Sequence, residues 1–347
     1  MIFSKTLISW YSNNKRDLPW RTTTNPYCIW LSEIILQQTQ VAQGLPYYRA
    51  FVNEFPTIFD LAKADESKVL KLWQGLGYYS RARNLHAAAK YVVNELDGDF
   101  PNTYKALLKM KGVGDYTASA IASICFNEPT AVVDGNVYRV LSRYYGIDTP
   151  INSTKGTKEF KALAQELIDR ECPDVFNQAI MEFGATQCKS QSPNCFECPF
   201  QDSCIAFQKN TVTNLPVKIK TAKVKKRYFN FLVFLDGDHK TVLEKRKGKG
   251  IWQNLYQFPL VETPQEITEK TFAQLVKTHP IVQKIDFEMS LYNQEPIIHK
   301  LSHQHLYTRF WIVKTDVSLP NGIPTSQIRN YAVPVLIGNF IEAFNFQ

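Results

Sequence analysis

Apolar side chains recur three and four positions apart over residues 28 to 125, as in Ile29, Trp30, Ile34, Ile35 and Leu36. That spacing predicts successive amphipathic helices, one of them running from Ile29 to Val41. Pro46, Pro56, Gly75, Gly77, Pro101, Gly112 and Gly114 punctuate the pattern, as residues that end helices or turn the chain do. A further helical stretch is predicted from Val137 to Gly184, and strand signals are scarce throughout, so this half is predicted to be all-α. After residue 208 the pattern changes. Lys209 to Arg227 is polar and basic with one proline and no helical period, which predicts a linker. Tyr228 to Leu235, Thr241 to Lys245 and His305 to Val313 read as strands, with a turn at Asp236-Gly237-Asp238 after the first. The expected organisation is a mainly α module over 1–208, a basic interdomain linker over 209–227, and an α+β domain over 228–347.

Composition narrows the class. With 347 residues, 44% hydrophobic and 13% aromatic, the chain is large and apolar enough for two or three domains with buried cores. Forty basic against thirty-two acidic residues leave a formal charge of +8, which suits a polyanionic partner without requiring one. The start, Met1-Ile2-Phe3-Ser4-Lys5, has neither the apolar core nor the small-residue cleavage site of a signal peptide. No segment approaches the roughly eighteen apolar residues that span a bilayer. Seven cysteines in that setting fit a reducing cytoplasm, nucleoid-associated if the source is bacterial, with thiols used for metal ligation rather than disulfides.

Four of those cysteines fall in one window, Cys188, Cys195, Cys198 and Cys204, spaced C-x6-C-x2-C-x5-C, while Cys28, Cys125 and Cys172 lie far apart. The window can gather four thiolates around one metal centre. Zinc and an iron–sulfur cluster both accept such a set, and spacing alone does not separate them.

Lys111-Gly112-Val113-Gly114-Asp115 places two glycines in a tight turn between predicted helices. Such a turn can aim backbone N–H groups at a phosphate, or serve only as a connection. Downstream, Val132-Val133-Asp134-Gly135-Asn136 puts an aspartate just before a helix, where its carboxylate either caps N–H groups or projects into a cleft.

These segments, together with Leu18-Pro19-Trp20-Arg21, the run Trp30 to Val41 containing Glu33, and Gly75-Leu76-Gly77-Tyr78-Tyr79-Ser80-Arg81, resemble the helix-hairpin-helix DNA glycosylases. Within that endonuclease III-like superfamily, the order of motifs and the four cysteines resemble the MutY-type adenine DNA glycosylases. The resemblance implies hydrolysis of the N-glycosidic bond of adenine mispaired with 8-oxoguanine or guanine in duplex DNA. Glu33 matches the general acid that protonates the leaving base, Asp134 the carboxylate that stabilises the oxocarbenium ion, and Tyr116 and Asn136 their pocket neighbours. Relatives resembling endonuclease III carry a nucleophilic lysine where this chain has Tyr116, so the resemblance implies a monofunctional enzyme. Gln37, Gln38 and Tyr78 match residues that wedge into the base stack, and Trp20, Arg21 and Gln178 match pocket contacts, with glutamine standing at 178 where other members have glutamate. Gly112 and Gly114 match the DNA-binding hairpin. The cysteine spacing equals that of the family's [4Fe-4S] cluster, which shapes a basic loop around Lys189, and a structural monovalent or divalent cation at the hairpin turn fits the same resemblance. A monomer acting on double-stranded DNA, with no membrane, is implied.

The C-terminal third resembles a Nudix-like 8-oxoguanine recognition domain through Gly250 to Pro259, but lacks the glutamate-rich helix that holds Mg²⁺, so pyrophosphate hydrolysis is not expected. His299-Lys300-Leu301-Ser302-His303 matches a base-contacting loop, with Leu301 in place of the usual aromatic residue and Ser302 and His303 retained. Met110-Lys111 stands where the family has Leu-Pro. Two alternatives remain open: an endonuclease III-like pyrimidine glycosylase/lyase, and a non-catalytic iron–sulfur DNA-binding protein.

Overall fold

The computed structural model describes residues 2–219, 224–284, 286–319 and 321–346. The chain forms two compact units, Met1–Lys63 with Asn84–Lys220, and Ala64–Arg83 with Thr221–Gln347.

The first unit is helical, as its periodicity predicts. Its elements are α1 (Ile2–Asn14), α2 (Pro26–Leu36), α3 (Val41–Glu54) and α4 (Ile58–Lys63). After the short α5 (Glu66–Leu72), which clusters with the second unit, come α6 (Ser80–Glu95), α7 (Tyr104–Leu107), α8 (Asp115–Phe126), α9 (Gly135–Tyr145), α10 (Thr154–Leu167), α11 (Pro173–Thr186) and α12 (Ile205–Gln208). Asn25 starts α2 by accepting from the backbone N–H groups of Tyr27 and Cys28, with Pro26 at the first helical position. The helix is not amphipathic. Tyr27 and every residue from Ile29 to Ile35 are buried, the pattern of a helix enclosed by protein on all sides. Each fully buried large apolar side chain here contributes about 1.5–3 kcal/mol.

The expected helix from Ile29 to Val41 is interrupted. α2 ends at Leu36, Gln37 is extended, Gln38 takes a left-handed φ of 53°, and α3 restarts at Val41. Helix α2 packs against α3 and α8, α8 in turn packs against α11, and α11 also packs against α1 and α9. Gly184 on α11 permits that last approach, since a Cβ there would meet Asn136 Cβ at 2.6 Å. A second core joins α1, α9, α10 and α11 through Leu7, Leu141, Phe160 and Ile180.

Part of the expected linker is seated on this unit. Val217 O accepts from Ile151 N, Leu215 O from Arg143 Nε, and Ile219 O from Asn152 Nδ2.

The second unit is built on a sheet of order β5-β1-β8-β6, with β7 also paired to β8. The strands are β1 (Lys225–Asp236), β2 (Lys240–Thr241), β3 (Glu244–Lys245), β4 (Tyr256–Gln257), β5 (Leu260–Thr263), β6 (Glu288–Leu291), β7 (Ile297–Leu301), β8 (Gln304–Thr315) and β9 (Ile323–Pro324). Two of the three predicted strands are found, lengthened, as β1 and β8. They pair in parallel, Phe231 opposite Phe310, and being central they are buried on both faces. The third, Thr241 to Lys245, is split into β2, which pairs with β9, and β3, which pairs with β4.

Helix α13 (Glu269–Val276) covers one face of the sheet through Phe272 stacked on Trp311 at 4.4 Å. Helix α14 (Val335–Ala343) covers the other through Phe340 stacked on Phe310 at 4.0 Å. Residues 64–83, expected in the first module, join this unit: Asn254 Nδ2 donates to Glu66 Oε1 at 2.6 Å, Arg83 Nη1 to Gln253 O at 2.9 Å, and Tyr79 Oη to Val333 O at 3.3 Å. No helix of the described residues is long and apolar enough to cross a membrane.

Candidate active site

Glu33 sits among apolar neighbours on α2, only 8% exposed. Burial raises its carboxyl to about 7, a hydrogen bond with Tyr116 opposes the rise, and the charge of Asp134 adds to it. Tyr116, on α8, is itself pushed well above an ordinary phenol by burial and by the same two carboxylates, and its hydroxyl also lies 3.2 Å from Met181 Sδ on α11. Helices α2 and α8, with Met181 of α11 beside them, thus bring an acid that holds its proton near neutrality against a phenol that stays neutral.

Asp134 is the N-cap of α9. Its Oδ1 accepts from the backbone N–H groups of Asn136 and Val137, both at 2.8 Å, and its Oδ2 from Asn136 Nδ2 at 2.9 Å. Burial raises this carboxyl, while those hydrogen bonds and Arg139 favour the anion. Of the two placements open to this aspartate in the sequence, capping is the one its hydrogen bonds display. Arg139, one turn into α9, donates to Asn136 Oδ1 at 2.8 Å, Gly184 O at 2.6 Å and Cys188 O at 2.7 Å. A single guanidinium joins the aspartate's neighbour to the first cysteine of the window.

On α11, Gln178 Oε1 accepts from Tyr11 Oη at 3.2 Å. One turn on, buried Glu182 is gripped by Arg16 Nε and Nη2, both at 2.7 Å, and by Arg21 Nη2 at 2.5 Å. Burial opposes the charge of Glu182, but the two arginines outweigh it and hold the carboxyl down at about 2. Arg21 is thereby committed to an ion pair, and Trp20 is buried edge-on to Tyr48 at 5.1 Å. Gln37 Nε2 donates to Thr117 Oγ1 on α8 at 3.2 Å, and Gln38 is exposed. Gly112 has a φ of 82°, with Asn84 Cβ 2.8 Å from where a side chain would begin, whereas Gly114 caps α8 and faces open space.

Cys188, Cys195, Cys198 and Cys204 line one cavity of about 450 Å³, its open mouth included. Arg143 Nη1 lies 3.5 Å from Cys188 Sγ and donates to Lys189 O at 2.7 Å. Burial pushes the Cys198 thiol up to about 11. Among the described residues no three His, Cys, Asp or Glu side chains converge on a single ion.

In the second unit, Tyr78 has a φ of 47°. It is 50% exposed, with its hydroxyl 2.6 Å from Ser302 Oγ. Ser302 and His303 form the exposed turn between β7 and β8.

Residues 31–170 match the model of the HhH-GPD superfamily base excision DNA repair proteins, and residues 230–343 match the NUDIX domain. An adenine DNA glycosylase of Buchnera aphidicola (subsp. Baizongia pistaciae) is 35% identical over 325 residues, covering 92% of this chain and 88% of that protein. The chain belongs to the adenine DNA glycosylases. The human adenine DNA glycosylase is 47% identical over 216 residues, 60% of this chain and 40% of its own length. Among solved structures, a thermostable thymine-DNA glycosylase is 31% identical with a TM-score of 0.56, covering 60% of this chain and 96% of that one. An endonuclease III–DNA complex shares the fold, with a TM-score of 0.53 at 21% identity. This member of the family is a DNA N-glycosylase of base excision repair.

Several residues that hold or touch the expected site residues were not legible as such in the sequence. Arg16, Met181, Glu182 and Arg139 lie beside motif positions, yet only the folded packing shows what they hold. For Arg16 a local signal existed: it stands two residues before Leu18-Pro19-Trp20-Arg21.

Proposed function

We propose that this adenine DNA glycosylase removes adenine mispaired with 8-oxoguanine or guanine, with Glu33 as general acid and Asp134 as the anion facing the sugar. The observation that carries this reading is the pairing, through Tyr116, of a buried carboxyl that holds its proton up to about pH 7 with a second carboxylate fixed by three hydrogen bonds. Adenine leaves once N7 takes a proton, and an acid whose pKa lies near the working pH gives that proton most effectively. As the C1′–N9 bond breaks, positive charge develops on the sugar. Asp134 would stabilise it, the adenine would leave with the proton from Glu33, and water would add at C1′ and return its spare proton to the Glu33 carboxylate. Tyr116 has no amine to form a Schiff base, which supports a monofunctional enzyme.

Before any chemistry the adenine must leave the stack, costing a few kcal/mol, least at a mispair. Gln38 and Tyr78, both exposed and both left-handed, would each serve to fill the gap, as would Gln37. Gly112 and Gly114 would receive a phosphate at the start of α8, where a structural cation also fits this reading. Gln178, Trp20 and Arg21 would shape the pocket. Ser302 and His303 would read the opposite base.

Four thiols lining one cavity suit a [4Fe-4S] cluster, in which each iron takes one thiolate, and their spacing, equal to that of the family's cluster, favours it over a single zinc ion. Cys188, Cys195, Cys198 and Cys204 would hold it, and it would supply a rigid clamp on the loop containing Lys189. The test is single-turnover release of adenine placed opposite 8-oxoguanine, guanine or thymine, in parent and Glu33→Gln. Fast release opposite 8-oxoguanine, slow release opposite thymine and loss in the variant are expected. Equal rates on all three, or an active variant, would overturn the reading.

A further inference from the structure

Residues 129–132 lead to Asp134 outside any helix or strand, and three side chains satisfy their backbone groups. Gln165, on α10, accepts from Ala131 N at 3.0 Å and donates to Pro129 O at 2.6 Å. Asn177, on α11, accepts from Val132 N at 3.0 Å and donates to Thr130 O at 2.8 Å. Lys161, one turn before Gln165, donates to Ala131 O at 2.6 Å. Of the three, only Lys161 carries charge, and it also reaches the hairpin: Nζ lies 3.0 Å from Asp115 Oδ2 and 3.0 Å from Ser119 Oγ. Tyr104 takes the other oxygen of Asp115 at 2.6 Å, and the ammonium sits 5.6 Å from its ring centroid.

Asp115 is the first residue of α8, immediately after Gly114. A carboxylate there repels any phosphate that approaches the hairpin, and an ammonium against it cancels that repulsion. We propose that Lys161 is a positioning residue with two duties, neutralising Asp115 so that the hairpin accepts a DNA phosphate, and pinning Ala131 so that Asp134 stands at the sugar. The inference rests on the roles given above to the hairpin and to Asp134.

The two duties separate experimentally in the full chain, using duplex DNA with adenine opposite 8-oxoguanine. Lys161→Met should weaken DNA binding and slow release at saturating DNA by about tenfold each, the scale of one lost charge-assisted hydrogen bond. Adding Asp115→Asn should return affinity to within about threefold of the parent, because the uncompensated charge is gone, while the saturating rate stays low. Asp115→Asn alone, at an exposed side chain, should bind no more weakly than the parent, and it supplies the measurement if Lys161→Met does not fold. A single variant with unchanged affinity and rate, a double variant that rescues both or neither, or an Asp115→Asn that binds more weakly would each overturn the inference. A parent that releases no adenine would instead overturn the function proposed above.

Discussion

Arg139 donates to Asn136 Oδ1 at 2.8 Å, and this bond determines which end of the Asn136 amide faces Asp134. With its oxygen engaged, Asn136 must turn Nδ2 toward Asp134 Oδ2, 2.9 Å away. Replacing Arg139 by methionine frees the amide to rotate and leaves the carbonyls of Gly184 and Cys188 without this donor. Misplacement on that scale costs about 100-fold in rate. We expect single-turnover release to fall by that order with DNA affinity within a few-fold of the parent. A rate within twofold of the parent would show that Asn136 is held by other means.

The pH dependence follows from Glu33. Its carboxyl rises from 4.5 to about 7 on folding, so the folded state binds the proton more tightly than the unfolded chain, and stability falls as pH rises between those values. At pH 8.5 the cost is about 3 kcal/mol. Glu33→Gln should therefore raise the melting temperature at pH 8.5 and change it little at pH 4.5, while the parent's release rate declines above pH 7. Equal stabilisation at both pH values would contradict a buried, protonated Glu33.

Glu182 has the opposite sign. Its carboxyl falls from 4.5 to about 2 on folding, so its stabilisation is complete above pH 4.5 and is lost as pH drops toward 2. Glu182→Gln leaves Arg16 and Arg21 facing a neutral amide beside the pocket. Because breaking one side of a buried pair is costly, urea denaturation at pH 7 should show a loss of about 3 kcal/mol. A loss below about 0.5 kcal/mol would place the pair with ordinary surface salt bridges.

Tyr78 and Ser302 share one hydrogen bond, so their effects on recognition of the opposite base should not add. Tyr78→Phe and Ser302→Ala should each reduce the preference for 8-oxoguanine over guanine, and the double variant should be less impaired than the product of the two. The coupling should be about 1 kcal/mol. Strict additivity in release rates would mean that the bond has no part in recognition.

Local pattern carried the helical half and the two central strands, because each depends on neighbours in sequence. It did not carry the break at Gln38, since glutamine enters the left-handed region without any residue-type signal. Nor did it show that α2 is enclosed on every side: Ile29, Trp30, Ile34 and Ile35 have helical spacing whether one face is covered or all are. Residues 64–83 were assigned by position in the chain, whereas their polar partners Gln253, Asn254, Ser302 and Val333 lie far away in sequence. Glu182 and Lys161 escaped for the same reason, both being ordinary charged residues on helices until the fold supplies Arg16, Arg21, Asp115 and Ala131.

Because α2 is buried continuously from Ile29 to Ile35, the acid strength of Glu33 belongs to the interior packing as much as to its polar neighbours. Substitutions that loosen the interior around Ile29 or Ile35, remote from any contact with DNA, would admit water beside the carboxyl and lower its pKa. The enzyme could then bind its substrate unchanged and still lose activity at neutral pH. Its pH profile is thus a readout of how well the interior is packed.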